Sequence, residues 1–283
     1  MDNIKRVEPR TLSGFMELLP QDQIKFNEML EKIKKTYELY GFLPQETPII
    51  ESSEVLLAKA GGETEKQIYS FKKGDKDLSL RFDLTVPLAK YVAEYYNDLT
   101  FPYRRYQLGK VFRGERAQKG RYREFYQCDI DIIGDGKLDI INDAEIPSII
   151  STTFKNLGFS NFIIKINNRK VLNGLFDELN ISEKMTDILI IIDKLEKIGI
   201  EAVKEELRKI DVKEENIEKI EEFLNISGTT DEKLEKLSNL GFTSEIFKEG
   251  LYELKEVVKY VRLFEVKEDN FMIDLTIARG LDY

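Results

Sequence analysis

The basic residues between positions 101 and 127 are the side chains of this sequence best suited to chemistry. The segment holds eight basic and two acidic residues, a local charge of +6 that leaves −15 for the rest of a chain whose net charge is −9. Arginine predominates, and a guanidinium group can bind phosphate through two hydrogen bonds. The segment predicts a pocket for a polyanion such as a nucleoside triphosphate, with a solvated charged surface as the alternative. The basic residues are Arg104, Arg105, Lys110, Arg113, Arg116, Lys119, Arg121 and Arg123.

Composition limits the reactions that such a pocket could serve. The 283 residues include no histidine and one cysteine, Cys128. Histidine triads, Cys-His dyads, histidine zinc sites and intramolecular disulfides are therefore excluded within this chain. Carboxylates, amides, hydroxyls and arginines remain, and we expect Cys128 to be an inert packing residue. Because no apolar stretch suits a membrane span or signal peptide, we expect a cytoplasmic protein without a membrane partner.

Two long strands are predicted to position the basic residues. Alternating patterns indicate strands at 103–113 and 122–133, with the polar loop 114–121 between them. If the strands pair antiparallel, one sheet face gathers arginine, amide and carboxylate groups, and an aromatic ring there could stack on a base. A solvent-facing sheet surface would show the same pattern. That face of the second strand carries Phe125, Gln127, Asp129 and Asp131.

Other elements surround this strand pair. Periodicity predicts helices at 22–40, 54–60, 85–96 and 139–157, and a hairpin at 69–82. In the first helix, Ile24, Met29 and Tyr37 are predicted to share one face. Ser52 or Ser53 is predicted to cap the short second helix. From 169 to about 265 the chain reads as successive amphipathic helices, with 16 basic and 23 acidic residues and no proline. We predict a helical insertion there, forming a small separate lobe.

The end of the chain is predicted to return to strand at 271–278. The following residues, Arg279–Tyr283, read as the middle of a motif and not as a trailing tail. We therefore expect the sequence to be a fragment of a longer protein.

Three ordered motifs resemble one family. Neither a P-loop nor a G-x-G-x-x-G pattern occurs. Residues 112–125 (FRGERAQKGRYREF) resemble the second signature of class II aminoacyl-tRNA synthetases, and specifically that of the histidyl-tRNA synthetase family. Residues 277–283 (IARGLDY) resemble the start of that family's R-G-L-D-Y-Y segment, and residues 80–85 (LRFDLT) resemble its amino-acid-binding segment. Pro48 would be the dimer-interface proline of the first class II signature.

The resemblance covers nearly the whole chain and implies both fold and activity. It implies an α+β fold with a class II synthetase-like antiparallel sheet flanked by helices and an all-helical insertion. The catalytic core would occupy 1–168, the insertion 169–265, and a truncated return to the core 266–283. The protein would be a homodimeric histidine–tRNA ligase that uses ATP and Mg²⁺ to activate L-histidine as histidyl-adenylate, and then transfers it to tRNA(His).

The resemblance also implies roles for residues at the nucleotide. Arg113 would hold the α-phosphate of ATP and the substrate carboxylate, with Arg279 on the opposite side of that phosphate. Glu115 would accept a hydrogen bond from the adenine amino group. Arg121 would reach the terminal phosphates, and Phe125 would stack on adenine.

A second set of residues would hold the amino acid. Asp83 and Thr85 would bind the α-amino group of histidine, Gln127 and Asp131 would line the pocket, and Tyr283 would lie at its rim. No protein side chain is assigned to a metal. Three assignments have plain alternatives: Asp83 as a helix cap, Asp131 as a paired core carboxylate, and Arg279 as a surface residue. Arg104, Arg105 and Lys119 are expected to be solvated or to face RNA.

Two other functions are compatible with these sequence features. The first is a synthetase-like regulatory subunit of ATP phosphoribosyltransferase in histidine biosynthesis, since such paralogues also lack an anticodon-binding domain. The second is another class II ligase with a different amino acid substrate, which the RGLDY ending disfavours. Because the third class II signature is missing, we expect this chain alone to be inactive or weakly active.

Overall fold

The computed structural model describes residues 7–58 and 62–278 of the chain. These residues form two compact units, 7–138 and 139–278. Arg279 and Tyr283, two of the predicted site residues, lie outside the described residues. No helix in the described parts of the chain is both long and apolar enough to cross a membrane.

The first unit combines short helices with two small sheets. Pro20 suits the first turn of a helix, where its missing N–H is not needed. The predicted helices at 22–40 and 85–96 and the predicted hairpin at 69–82 are confirmed. The elements are α1 (Pro20–Leu39), β1 (Leu43–Pro44), β2 (Ile50–Ser52), α2 (Ser53–Leu57), α3 (Gly62–Gln67), β3 (Ser70–Lys73), β4 (Lys76–Leu80), α4 (Thr85–Glu94), β5 (Tyr103–Phe112) and β6 (Glu124–Ile133).

Strands β5 and β6 make the longest strand pairing of this unit. They run antiparallel from Tyr103 opposite Ile133 to Phe112 opposite Glu124. Strand β1 joins β5 in parallel, whereas β2, β4 and β3 form a separate antiparallel sheet. The two predicted strands and their antiparallel pairing are confirmed.

Helix α1 is buried only near its C-terminal end. Ile24 and Met29, which we predicted to share a face with Tyr37, are exposed. Tyr37 is buried, and its hydroxyl donates a hydrogen bond to the Cys128 carbonyl oxygen at 3.1 Å. The neighbouring Glu38 accepts from the Tyr106 hydroxyl at 2.8 Å. Both bonds tie the last turn of α1 to the β5–β6 pair.

The predicted serine cap of α2 is wrong. Ser52 occupies the N-cap position, but no side-chain capping bond forms. The Ser53 hydroxyl instead lies 2.7 Å from the Ser79 hydroxyl on β4, which also lies 2.8 Å from that of Ser70. Partners on the adjacent sheet therefore replace the local backbone as hydrogen-bond partners.

The second unit is built mainly from helices around an apolar core. The helical prediction after residue 169 is confirmed. Helices α6 and α12 contact each other at two glycines. A Cβ on Gly174 would lie 2.4 Å from the Phe247 Cα, so only glycine permits this contact. The elements are α5 (Ile141–Leu157), β7 (Ile164–Ile166), α6 (Arg169–Glu178), α7 (Met185–Ile192), α8 (Leu195–Ile198), α9 (Ile200–Lys209), α10 (Glu214–Leu224), α11 (Thr230–Ser238), α12 (Glu245–Leu263) and β8 (Phe271–Ile273).

The strand predicted at 271–278 is wrong beyond Ile273. Strand β8 covers three residues and pairs in parallel with β7. Asp274 then turns the chain, because its Oδ1 accepts hydrogen bonds from the Thr276 N–H at 3.0 Å and the Thr276 hydroxyl at 2.6 Å. Its Oδ2 lies 2.9 Å from the Lys165 Nζ.

Candidate active site

The β5–β6 register brings a row of polar side chains onto one face. Directly opposite residues of an antiparallel pair place their side chains on the same side of the sheet. The opposed pairs are Arg105 with Asp131, Gln107 with Asp129, Gly109 with Gln127, and Val111 with Phe125. The predicted gathering of arginine, amide and carboxylate groups on this face is therefore present.

A cavity of about 430 Å³ opens at the end of this face. Its lining includes all four residues that the sequence resemblance assigns to ATP and that lie in the loop or on β6: Arg113, Glu115, Arg121 and Phe125. The volume falls within the range of small-molecule sites. The remaining lining residues are Gln67, Gly120 and Tyr122.

Arg113 is held between two aromatic rings at the wall of the cavity. Its Nε donates to the Phe82 carbonyl oxygen at 3.2 Å. The guanidinium carbon lies 4.4 Å from the Phe82 ring centroid and 5.2 Å from that of Phe125. These contacts fix the planar group while leaving other N–H donors for an anion.

The loop after β5 carries Glu115 and Arg121 across from each other. The Arg121 Nη1 lies 3.4 Å from the Glu115 Oε2, and the Arg121 side chain is 62% exposed. The Arg123 Nε donates to the Glu115 carbonyl oxygen at 3.0 Å and closes the loop. Because the Arg121–Glu115 pair is long and exposed, an incoming anion can displace it at little cost.

The expectation that Arg105 is solvated is wrong. Arg105 is fully buried, and its Nη2 lies 2.8 Å from the Asp131 Oδ2. Its Nη1 donates to the Gln107 Oε1 at 3.2 Å and its Nη2 to the Leu84 carbonyl oxygen at 3.3 Å. Asp131 is thus paired with a buried charge in the structure, as the alternative to a ligand-binding role expected. Burial raises the pKa of Asp131, and Arg105 opposes that rise.

The other two basic residues expected to be solvated differ from each other. Arg104 contacts protein, since its Nη2 donates to the Tyr40 carbonyl oxygen at 2.9 Å and its guanidinium carbon lies 4.4 Å from the Phe42 ring centroid. Lys119 is exposed, as expected. Strand alternation explains the difference between neighbours, because Arg104 and Arg105 point to opposite faces.

Residues assigned to the amino acid lie along the same face or beside it. Asp83 is buried, and its Oδ1 accepts from the Val86 N–H at 2.9 Å. Leu84 occupies the N-cap position of α4, so Asp83 caps the first turn of the helix from one residue earlier than predicted. Thr85 is exposed at the start of α4. Gln127 is half-buried, and its Oε1 has no hydrogen-bond partner among the described residues.

Sequence reasoning missed Arg81, a buried residue that lies against β5 beside this site. Arg81 is buried, and it donates from Nε to the Lys110 carbonyl oxygen and from Nη1 to the Thr47 carbonyl oxygen, both at 2.7 Å. Its Nη2 occupies the space beside Gly109, where a Cβ would lie only 2.5 Å away. Burial lowers the pKa of Arg81, and Glu46 opposes this. An arginine preceding Phe82-Asp83 was the available signal.

Asp129 was also left out of the predicted site. It lies between Gln127 and Asp131 on the same face, opposite Gln107. Burial, followed by the nearby charge of Asp131, raises the pKa of Asp129 to about 6, although Arg105 opposes the rise. The nearby positive charges therefore offset only part of the cost of ionising Asp129.

Replacing Asp129 by Asn should change how stability depends on pH. The folded-state pKa of about 6 lies above the ordinary value, so the folded chain holds this proton more tightly than the unfolded chain. The resulting stabilisation is complete below about pH 4 and is lost as the pH rises through about 6. Asparagine does not titrate, so the variant does not undergo this loss. As the pH rises from about 4 to about 6, the unfolding free energy of Asp129→Asn should therefore increase by about 1–2 kcal/mol relative to that of the wild type, a value that allows for the partial exposure of the side chain. Urea unfolding at pH 4.5 and 7.5 measures the difference; parallel pH dependence in both proteins would contradict it.

Cys128 should react slowly with alkylating agents. Burial, and then the charge of Asp129, raises the pKa of the Cys128 thiol to about 11, so little thiolate is present near neutral pH. Iodoacetamide at pH 8 should therefore modify the folded protein roughly 100-fold more slowly than the urea-unfolded protein. Similar rates in the two states, followed by mass spectrometry, would show that the thiol is reactive and not inert.

Comparison with known proteins identifies the family. The sequence profile of the histidyl-tRNA synthetase family matches residues 14–283. The histidine–tRNA ligase of Clostridium tetani is 60% identical over 277 residues, which cover 98% of this chain and 63% of that protein. The crystal structure of histidyl-tRNA synthetase from Nostoc sp. PCC 7120 matches this mixed α/β fold with a TM-score of 0.88 at 44% identity, over 98% of this chain and 63% of that one. The chain belongs to the histidyl-tRNA synthetase family.

A more distant structure shares the fold alone. The protein described as an ATP phosphoribosyltransferase regulatory subunit/histidyl-tRNA synthetase from Bacillus halodurans matches with a TM-score of 0.81 but 21% identity. It covers 96% of this chain and 69% of that one. The chain spans 63% of the length of the histidine–tRNA ligase of C. tetani and 64% of the length of that of Clostridium acetobutylicum.

Proposed function

We propose that the chain is the catalytic region of a cytoplasmic histidine–tRNA ligase, which joins L-histidine to ATP as histidyl-adenylate and then transfers the histidyl group to tRNA(His). The observation that supports this best is the 430 Å³ cavity at which Arg113, Glu115, Arg121 and Phe125 meet. Its side chains supply an aromatic surface for a base, cations for phosphates and a carboxylate for an amino group. Membership of the histidyl-tRNA synthetase family supports histidine as the amino acid.

The nucleotide would lie along this cavity. Phe125 would stack on adenine, Glu115 would accept from the adenine amino group, and Arg121 would move from Glu115 to the terminal phosphates. The described residues contain no group of three or more His, Cys, Asp or Glu side chains suited to a metal ion. The Mg²⁺ of this proposal would be held by the ATP phosphates and would supply positive charge to the departing pyrophosphate.

The activation step needs positioning more than proton transfer. The carboxylate of histidine is ionised at neutral pH, so no general base is required when it attacks the α-phosphorus. A new bond forms between that carboxylate oxygen and phosphorus, and the bond to pyrophosphate breaks. Arg113, with Arg279, would align the two groups and bind the charge that grows on the phosphoryl oxygens. Such a reaction does not need a histidine in the chain.

The amino acid would lie on the β5–β6 face. Asp83 and Thr85 would bind the α-amino group, Gln127 and Asp131 would line the pocket, and Tyr283 would close its rim. The ion pair between Arg105 and Asp131 would orient the Asp131 carboxylate towards an imidazole N–H. A buried site built to hydrogen-bond that group would reject apolar isosteres.

The proposal extends to the organisation of the chain. The catalytic core would comprise 1–168 and 266–283, with a class II synthetase-like antiparallel sheet, and 169–265 would be an all-helical insertion. Exposed Pro48 would lie at the interface of a homodimer. Each of these statements rests on family likeness together with the confirmed strand pairing and helical segment.

ATP–pyrophosphate exchange tests the proposal. The protein extended to the length of its relatives should exchange label in the presence of histidine and of no other common amino acid. No exchange with histidine would reject the ligase. If the same preparation instead stimulated an ATP phosphoribosyltransferase, the regulatory-subunit alternative would replace it.

A further inference from the structure

We propose that Asp129 is a further substrate-binding residue, the counter-ion of the α-ammonium group of the amino acid. This inference rests on the proposed function, because it places an amino acid on the β5–β6 face. It adds a carboxylate to those that the sequence resemblance assigns there.

The two assigned carboxylates already have partners within the chain. Asp131 pairs with the buried Arg105 at 2.8 Å. Asp83 accepts the Val86 N–H at 2.9 Å at the start of α4. The side chain of Asp129, which lies on the same face opposite Gln107, has no hydrogen-bond or ion-pair partner among the described residues. Asp131 Oδ2 faces Arg105 but has no hydrogen-bond partner among the described residues, so it too can accept from a ligand. Asp129 differs in having no opposite charge paired with it, which leaves its whole carboxylate for a ligand cation.

The local charge favours a cationic ligand group at Asp129. Burial of this side chain raises its pKa, the charges of Asp131 and Asp83 add to the rise, and Arg105 and Arg113 oppose it. A bound cation would relieve the cost of this partly buried charge. The α-ammonium group of an amino acid is positive at neutral pH, whereas its imidazole ring is mostly neutral. The ammonium group is thus the better match.

A neighbouring acceptor provides a second, independent observation. The Gln127 Oε1 is buried without a hydrogen-bond partner among the described residues, and Gln127 lies two positions before Asp129 on the same strand face. An –NH₃⁺ group has three donors and no acceptor. A carboxylate and an amide oxygen that are adjacent on one face suit such a group.

Two ligands distinguish ammonium recognition from ring recognition. In the full-length protein, Asp129→Asn should raise the KM for histidine roughly 20-fold or more in ATP–pyrophosphate exchange, because an ionic hydrogen bond is lost. The KM for ATP should change less than about 3-fold. Imidazolepropionate, which has the ring and the carboxylate but no amino group, should inhibit the variant and the wild type equally. Asp135→Asn, at an exposed carboxylate beyond the same strand, is the matched control and should behave as the wild type.

Three results would overturn the inference. The first is a histidine KM for Asp129→Asn within 3-fold of that of an active wild type. The second is equal weakening of histidine and imidazolepropionate by the substitution. The third needs only the wild type and so does not depend on folding of the variant: histidine and imidazolepropionate binding with similar affinity. Absence of histidine-dependent exchange in the wild type would instead reject the proposed function.

Discussion

Arg113→Ala should slow histidine-dependent ATP–pyrophosphate exchange by a factor between about 10² and 10³ in the full-length protein. Arg113 lies on the cavity wall with its guanidinium between Phe82 and Phe125. A donor fixed in this way needs no reorganisation when charge grows on the α-phosphoryl group, so its loss should raise the barrier by about 3–4 kcal/mol. The effect should appear in kcat more than in the KM for ATP, since the interaction strengthens in the transition state.

Two variants serve as controls for this result. Arg113→Lys keeps the charge but loses the planar, two-pronged donor, so it should recover only a small part of the rate. Arg116→Ala, at an exposed arginine of the same loop, should leave exchange within about 2-fold of the wild type. Equal losses in Arg116→Ala and Arg113→Ala would show that the loop contributes only its overall charge.

Gly109→Ala should lower the free energy of unfolding by about 2–4 kcal/mol. The added Cβ would lie 2.5 Å from the Arg81 Nη2 and 3.2 Å from its Cζ. The end of a flexible side chain could move aside, but Arg81 is buried and its other nitrogens bond the carbonyl oxygens of Lys110 and Thr47 at 2.7 Å. Displacing it would leave buried polar groups without partners. Urea unfolding measures the loss.

A double variant tests whether Arg81 is the cause. In an Arg81→Met background, most of the collision is absent, so Gly109→Ala should cost less than about half of its cost in the wild type. The same cost in both backgrounds would assign the effect to the strand backbone and not to Arg81. Because Arg81 precedes Phe82 and Asp83, Gly109→Ala should also raise the KM for histidine.

The site face could be predicted because a strand has a period of two. The alternation along 122–133 already placed Phe125, Gln127, Asp129 and Asp131 together, and pairing with β5 brought them opposite its own alternate residues. The motif at 112–125 likewise located the residues that line the cavity. Both inferences depend only on local sequence, and the structure confirms that these residues share a face and line the cavity.

The burial of single charged residues could not be predicted in this way. Arg104 and Arg105 look equivalent in the sequence, yet Arg105 is fully buried and paired with Asp131, which lies 26 positions later. Likewise, the close approach of Arg81 to Gly109 joins segments that only the tertiary fold brings together. Alternation shows that neighbours point to opposite faces, but which face is covered depends on the packing of other elements. Similarly, the sequence predicts a strand at Asp274, but hydrogen bonds to its side chain form a turn there.

Formation of labelled histidyl-adenylate tests the central claim most directly. The full-length wild type and Arg113→Ala would be incubated with α-phosphate-labelled ATP, Mg²⁺ and histidine, and the enzyme-bound products separated. We expect the wild type to form an adenylate that requires histidine, and Arg113→Ala to form at most a trace in the same time. An adenylate formed equally well with another amino acid, or none formed by the wild type, would contradict the assignment of histidine activation to the β5–β6 face.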